Sequence, residues 1–139
     1  MTREELKNYL PQREPMLLVD ESHREGEEVI STYKVRGDEY FLQGHFPGNP
    51  IVPGVILCEM MGQASALLIP EILDGQTLTY FAGMDKVRFK NLVHPWDTFV
   101  TKSRLTARRS NLIFIEAEGS VDGKQCCSAC MTVAVMSKK

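Results

Sequence analysis

Charge of one sign is missing from this chain: 16 Lys and Arg stand against 18 Asp and Glu, a formal net charge of −2. Nothing here resembles the basic field of a nucleic-acid binder, so any charged partner has to be met by a local patch. Long apolar runs are missing as well. The longest, Val55 to Ile69, has 15 residues and is interrupted by Glu59 and Gln63, whereas a membrane-spanning helix needs about 17–25. The first ten residues, MTREELKNYL, put acidic side chains where a secretory signal has its apolar core. A cytoplasmic protein is therefore expected, with its four cysteines as reduced thiols. Cys127 and Cys130 form a CxxC, but QCCSACMTVAVM reads as a strand, which sends residues three apart to opposite faces. No flanking histidine completes a tetrahedral set, so neither a metal nor a cofactor is expected.

What is present is enough for one packed domain over residues 1–139: hydrophobic residues make up 43% of the chain, and no repeat or linker divides it. Thr2 and Glu5 match a capping box and predict a short helix running to about Leu10. Pro11 and Pro15 bracket an irregular turn ahead of the apolar run Met16 to Val19. Strands are predicted over Glu28–Val35, Leu78–Phe89, Thr98–Ala107, Leu112–Val121 and Gln125–Met136. Asp122-Gly123 marks a hairpin between the last two, and Arg109-Ser110-Asn111 a turn between the pair before. Only one long helix interrupts the strands, starting near Gly54 and stopping before Pro70. It is apolar nearly all round, which predicts burial on every side. An antiparallel β-sheet wrapped around one buried central helix is an α+β arrangement, the outline of a hot-dog fold. Such a helix needs cover on its open side, so at least a dimer is expected.

The chemistry is concentrated in FLQGHFPGNPIVPGVILCEMMGQ, residues 41–63. His45 lies on a loop that Pro47 and Pro50 stiffen, next to the permissive Gly44. An imidazole held there can be aimed, and it exchanges protons near neutral pH as a general base must. A surface or capping role is the commoner fate of an isolated histidine. Glu59 stands one turn inside the apolar helix, where a carboxyl is costly unless neutral or paired. A structural carboxyl bonded to backbone or to Gln63 is the plainer explanation, and Gln63 at i+4 is within reach. A neutral acid there would make a proton donor. Pro53-Gly54 opens the helix, whose first N–H groups lack internal partners and can bear charge developing on a carbonyl oxygen. In DKVRFK, strand alternation places Lys86, Arg88 and Lys90 on one face, with Val87 and Phe89 turned to the core. A solvated edge is the commoner reading of that basic face, and a landing site for an acidic or phosphate-bearing partner the functional one.

GHFPGNPIVPGVILCEMMGQ resembles the motif of the FabZ-type 3-hydroxyacyl-(acyl-carrier-protein) dehydratases: GHFPxxP, then PG, then a helix carrying a glutamate and a nearby Gln. LPQREPMLLVD at 10–20 and FAGMDKVRF at 81–89 extend the likeness from Leu10 to about Asp97. The resemblance implies dehydration of (3R)-3-hydroxyacyl to trans-2-enoyl thioesters on acyl carrier protein during fatty acid elongation. It implies that His45 is the general base, Glu59 the general acid, and the Gly54 amide the group that polarises the thioester carbonyl. Phe46, Val55 and Gln63 join Gly54 as substrate-binding candidates, and Lys86, Arg88 and Lys90 become candidates for carrier docking. It further implies a homodimer in which His45 and Glu59 meet across the interface, with three dimers associating. A sister dehydratase-isomerase family carries Asp where Glu59 stands, which favours the dehydratase-only type. This chain departs from the pattern at Gln12 (often His), at Met60-Met61-Gly62 (often Ala-Met-Ala) and at Trp96 (often Gly). These departures bear on acyl chain length more than on the reaction. Two rival readings are an acyl thioesterase of the same fold, which would not need the His45 loop, and a non-catalytic module that binds acyl chains or carrier protein.

Overall fold

Strict alternation of buried and exposed side chains runs through LIFIEAEGSV, where Ile113, Ile115, Ala117 and Gly119 turn inward. This period of two makes the segment a strand with one face on a core. The computed structural model describes residues 1–137 and contains α1 (Arg3–Leu6), β1 (Glu21–Glu25), β2 (Glu28–Lys34), α2 (Gly54–Ala64), β3 (Thr77–Phe89), β4 (Thr98–Arg109), β5 (Leu112–Val121) and β6 (Lys124–Ser137), with short 3-10 turns between. The strands form one antiparallel six-stranded sheet in the order β1-β2-β4-β5-β6-β3. It packs around α2, whose Leu57, Cys58, Met60 and Met61 belong to the main core with Phe99, Ile113, Ile115 and Met131. A smaller core joins α1 to the turns after α2 through Leu6, Leu10, Leu17, Val19, Ala66 and Ile72. The expected hot-dog arrangement is the one observed.

Local chemistry sets the boundaries. Thr2 and Glu5 close their capping box, and α1 ends at Leu6, with turn hydrogen bonds carrying the chain on to Leu10. Asp122 and Gly123 both have positive φ (50° and 80°), as a two-residue hairpin matching the sheet twist requires. Cys127 points into the core while Cys130 sits on the outer face, so the CxxC is indeed split. Hydrogen bonding to Cys58, together with burial, pushes the Cys127 thiol well above its ordinary range.

Three expectations need correction. The segment ESHRE is a strand, β1, missed because Ser22 is its only buried residue; the Ser22 hydroxyl meets that of Ser31 in β2 at 2.8 Å. Helix α2 stops at Ala64, where the Ser65 hydroxyl donates to the Met61 carbonyl at 2.7 Å. Beyond it, Pro70 forces Ile69 into an extended conformation (φ −107°, ψ 101°). Nor is α2 covered all round: Val55 is 74% exposed, and Glu59 and Gly62 on the same stripe are half-buried.

The β4–β5 contact is tight at one point. A Cβ added at Gly119 would lie 1.9 Å from Cζ of Phe99, whose ring is fully buried. Gly119→Ala is therefore expected to destabilise the fold by about 3 kcal/mol, read as a lowered midpoint in chemical denaturation. Wild-type stability in that variant would contradict the packing described.

Candidate active site

The GHFPGNP loop is held by its own backbone. The His45 N–H donates to the Leu42 carbonyl at 3.2 Å, Ile51 N–H to the His45 carbonyl at 2.9 Å, and Phe46 and Asn49 exchange N–H···O bonds at 3.1 and 2.9 Å. Gly44 takes φ 85° at the entry, a conformation that glycine adopts without a Cβ penalty. The imidazole is half-buried and lies against the Phe46 ring, with centroids 4.4 Å apart and planes 19° from parallel. Its Nδ1 lies 3.2 Å from the Ile51 carbonyl oxygen. A carbonyl can only accept, so this contact places a proton on Nδ1, and the lone pair of the neutral imidazole is then on Nε2. That tautomer is the one a general base needs.

Glu59 is anchored on α2 by Gln63, one turn further along. Gln63 is 5% exposed, and its carboxamide makes three hydrogen bonds. Its Oε1 accepts from the Leu18 N–H at 2.8 Å; its Nε2 donates to the Met16 carbonyl at 2.7 Å and to Glu59 Oε2 at 2.8 Å. The backbone partners fix which end of the amide is which. Glu59 Oε2 is therefore an acceptor, and an acidic proton on this carboxyl resides on Oε1, the oxygen free to meet a substrate. The fully buried carboxyl expected from the helix pattern is instead half-buried, on the open stripe of α2.

A cavity of about 250 Å³ opens beside Glu59, lined by Gly62 and Gln63 of α2, by Ala66 in the turn beyond the helix, and across from them by Tyr80 and Phe81 of β3. His45 is not among its lining residues. Gln12, another wall residue, buries its Oε1 without a hydrogen-bond partner among the described residues. Its place here, like that of Tyr80, was not readable from local spacing, since only the tertiary fold brings residues 12, 59 and 80 together.

At the helix start, neither the Gly54 nor the Val55 N–H has a partner among the described residues; the first bonded amides are Ile56 and Leu57, both on the Pro53 carbonyl. The positive end of the helix is thus open to an oxyanion. Gly54 faces the Phe89 ring, 2.9 Å from where a Cβ would stand. Phe89, expected in the core, is 54% exposed and sits by this entrance. Phe89 pairs with the buried Cys127 and so keeps to the helix side, but it lies on β3, the edge strand of the sheet, where no further strand covers it. Lys86, Arg88 and Lys90 are all exposed, and the register of β3 shifts between Asp85 and Arg88. Among the described residues, no group of three or more His, Cys, Asp or Glu is placed to hold a metal ion, and no helix is long and apolar enough to cross a membrane.

Comparison with known proteins is consistent across methods. The model of the FabA-like domain family matches residues 10–130. A protein of Oenococcus oeni named 3-hydroxyacyl-(acyl-carrier-protein) dehydratase FabZ is 40% identical over 133 residues, covering 93% of this chain and 95% of that one. A Clostridium perfringens protein of the same name is 42% identical over 138 residues, covering 97% and 99%. Among solved structures, the dehydratase heterocomplex ApeI:P of Xenorhabdus doucetiae aligns with TM-score 0.78 at 20% identity over 96% of this chain and 91% of that one. A protein of Streptococcus pneumoniae described as a hypothetical thioesterase, with coenzyme A, aligns at 0.64 and 15% identity over 86% and 87%. At such identities the last two speak for the fold alone.

The Gln63 carboxamide is testable apart from any activity. Gln63→Leu keeps the volume but leaves the Leu18 N–H buried and unpaired, and is expected to cost about 1–3 kcal/mol in thermal or chemical denaturation. An unchanged midpoint would show that the three bonds do not hold the site.

Proposed function

Because the chain belongs to the FabA-like family, among the 3-hydroxyacyl-(acyl-carrier-protein) dehydratases of the FabZ type, we propose that it eliminates water from (3R)-3-hydroxyacyl thioesters on acyl carrier protein in fatty acid elongation, with His45 and Glu59 as its acid–base pair. The observation that carries the assignment of roles is the pair of opposite hydrogen-bond polarities. His45 has a lone pair free on Nε2, and Glu59 has one oxygen committed as acceptor and the other free to hold a proton.

In this mechanism the thioester oxygen lies at the Gly54 N–H, beside the exposed side chains of Val55 and Phe46. His45 Nε2 takes the α-proton, and the electron pair of that C–H bond shifts toward the carbonyl. The pair then returns to form the Cα–Cβ double bond as the C–O bond breaks, and protonated Glu59 gives its proton to the departing hydroxyl, releasing water. Proton return from His45 to Glu59, directly or through water, resets the pair. Each acid–base group supplies about 10²–10⁴-fold, and the amide donor about 10²–10³-fold. The residues need no metal or cofactor for these steps.

The working unit is a homodimer, with three dimers assembling further, and one protomer supplies His45 while its partner supplies Glu59. The open stripe of α2, the exposure of Val55 and Phe46, and a Glu59 cavity that lacks His45 all support this reading. Lys86, Arg88 and Lys90 receive the acidic carrier or the phosphate of its arm, and the site of action is the cytoplasm. The thioesterase reading has the fold in its favour, but a thioesterase has no use for an aimed, Nδ1-protonated histidine.

His45→Ala and Glu59→Gln are each expected to keep the fold and to lose about 10²–10⁴-fold in hydration of crotonyl thioester, the reverse reaction followed by loss of enoyl absorbance. Near-normal rates in either variant would refute the assignment, and release of free thiol without enoyl chemistry would support the hydrolase.

A further inference from the structure

The Glu59 cavity has one hydrogen-bond acceptor in its wall that the fold does not use. Of the polar side chains lining it, Gln63 already accepts from the Leu18 N–H and donates to Met16 and Glu59. Thr79 is half-buried and Tyr80 is 53% exposed, so solvent reaches both. Gln12 differs from them: its Oε1 is shut off from solvent and has no hydrogen-bond partner among the described residues. A buried acceptor without a donor is a standing cost to the folded state, and it calls for a reason. The backbone there is not free to carry the side chain elsewhere. Arg13 Nη1 donates to the carbonyls of Leu10 and Gln12 at 2.7 and 2.8 Å, and Nη2 to that of Lys7 at 2.8 Å. Only the last torsion of the Gln12 side chain is soft, and turning it brings the oxygen to face a donor in the cavity.

The neighbouring acid says which donor fits. A protonated Glu59 Oε1 donates to the oxygen of a substrate hydroxyl, whose own hydrogen then needs an acceptor. Glu59 Oε2 already accepts from Gln63, and Gln63 Oε1 already accepts from Leu18, which leaves Gln12 Oε1. We propose that Gln12 binds and orients the 3-hydroxyl of the substrate, accepting its hydrogen while Glu59 donates to its oxygen. As the C–O bond breaks, its electron pair stays on oxygen, which takes the Glu59 proton and departs as water. That water has one hydrogen toward the Glu59 carboxylate and the other toward Gln12. In the reverse direction the same two groups aim a water at the enoyl β-carbon. The proposal rests on the dehydratase reading and deepens it.

The test uses Gln12→Leu and Gln12→Met, which remove the acceptor at similar volume. In the empty protein the oxygen has no bond to lose, so chemical denaturation of either variant should show a midpoint no lower than wild type. Turnover, followed as hydration of crotonyl thioester, should fall about three- to tenfold, the worth of one neutral hydrogen bond. Binding is read in a His45→Ala background, where turnover is slowed, as the ratio of affinities for (3R)-3-hydroxybutyryl and butyryl pantetheine thioesters. Removing the Gln12 acceptor should lower that ratio by the same three- to tenfold and leave butyryl affinity unchanged. An unchanged ratio, an equal loss of affinity for both ligands, or failure of both variants to fold would overturn the proposal; should only one variant fold, it carries the comparison alone. If the protein with Gln12 and His45 intact dehydrates no hydroxyacyl thioester while the ratio still falls in the Gln12 variants, the dehydratase reading fails and the hydroxyl site stands.

Discussion

The carboxamide of Gln63 is the constraint on which the site depends. Residues 16–18 lie between α1 and the sheet without belonging to a strand, so their backbone groups need other partners. One side chain supplies two of them and, with its remaining N–H, fixes the orientation of Glu59. A typical hydrogen bond of this kind contributes only about 1 kcal/mol net, but an orphaned buried partner costs about 1–3 kcal/mol. The arrangement is therefore hard to loosen by degrees. Arg3 performs a similar service nearby, donating to the carbonyls of Leu17 and Val19, so that the segment carrying Gln12 toward the cavity is tied from both sides.

A second constraint is geometric. Six strands curl around α2 but leave one stripe of it uncovered, and Glu59 lies on that stripe with Val55 and Gly62. The uncovered stripe leaves the Glu59 carboxyl accessible where the sheet would otherwise bury it, and it presents apolar surface at Val55. The His45 loop, rigid in its own hydrogen bonds, brings an imidazole on a different element. The backbone amides of Gly54 and Val55 have no partner among the described residues. The Glu59 carboxyl and the unpaired amides thus share one helix, while the His45 imidazole stands on a separate loop held by its own hydrogen bonds.

Much of this was legible in the residues. The strands β4, β5 and β6 follow from period-two alternation and from Asp122-Gly123, and the pairing of Glu59 with Gln63 follows from i, i+4 spacing. The GHFP…PG…E motif pointed to the family before any coordinates. What escaped has physical causes. β1 is nearly all charged because only Ser22 faces inward, so it carries no hydrophobic pattern. The exposure of Phe89 follows from the place of β3 at the edge of the sheet, which the local pattern of that segment does not show. Gln12 shares a cavity with Glu59 only through the fold, which local spacing cannot reveal.

The central claim is that one protomer's His45 works with the partner's Glu59, and a mixing experiment addresses it most directly. Chains bearing His45→Ala and chains bearing Glu59→Gln, each inactive alone, are co-expressed, and dehydration is measured on the purified mixture. If the site is shared, half of the sites in each mixed dimer are intact, and statistical pairing returns roughly a quarter of wild-type turnover. A mixture no more active than its parents, with mixed dimers shown to be present, would contradict the account.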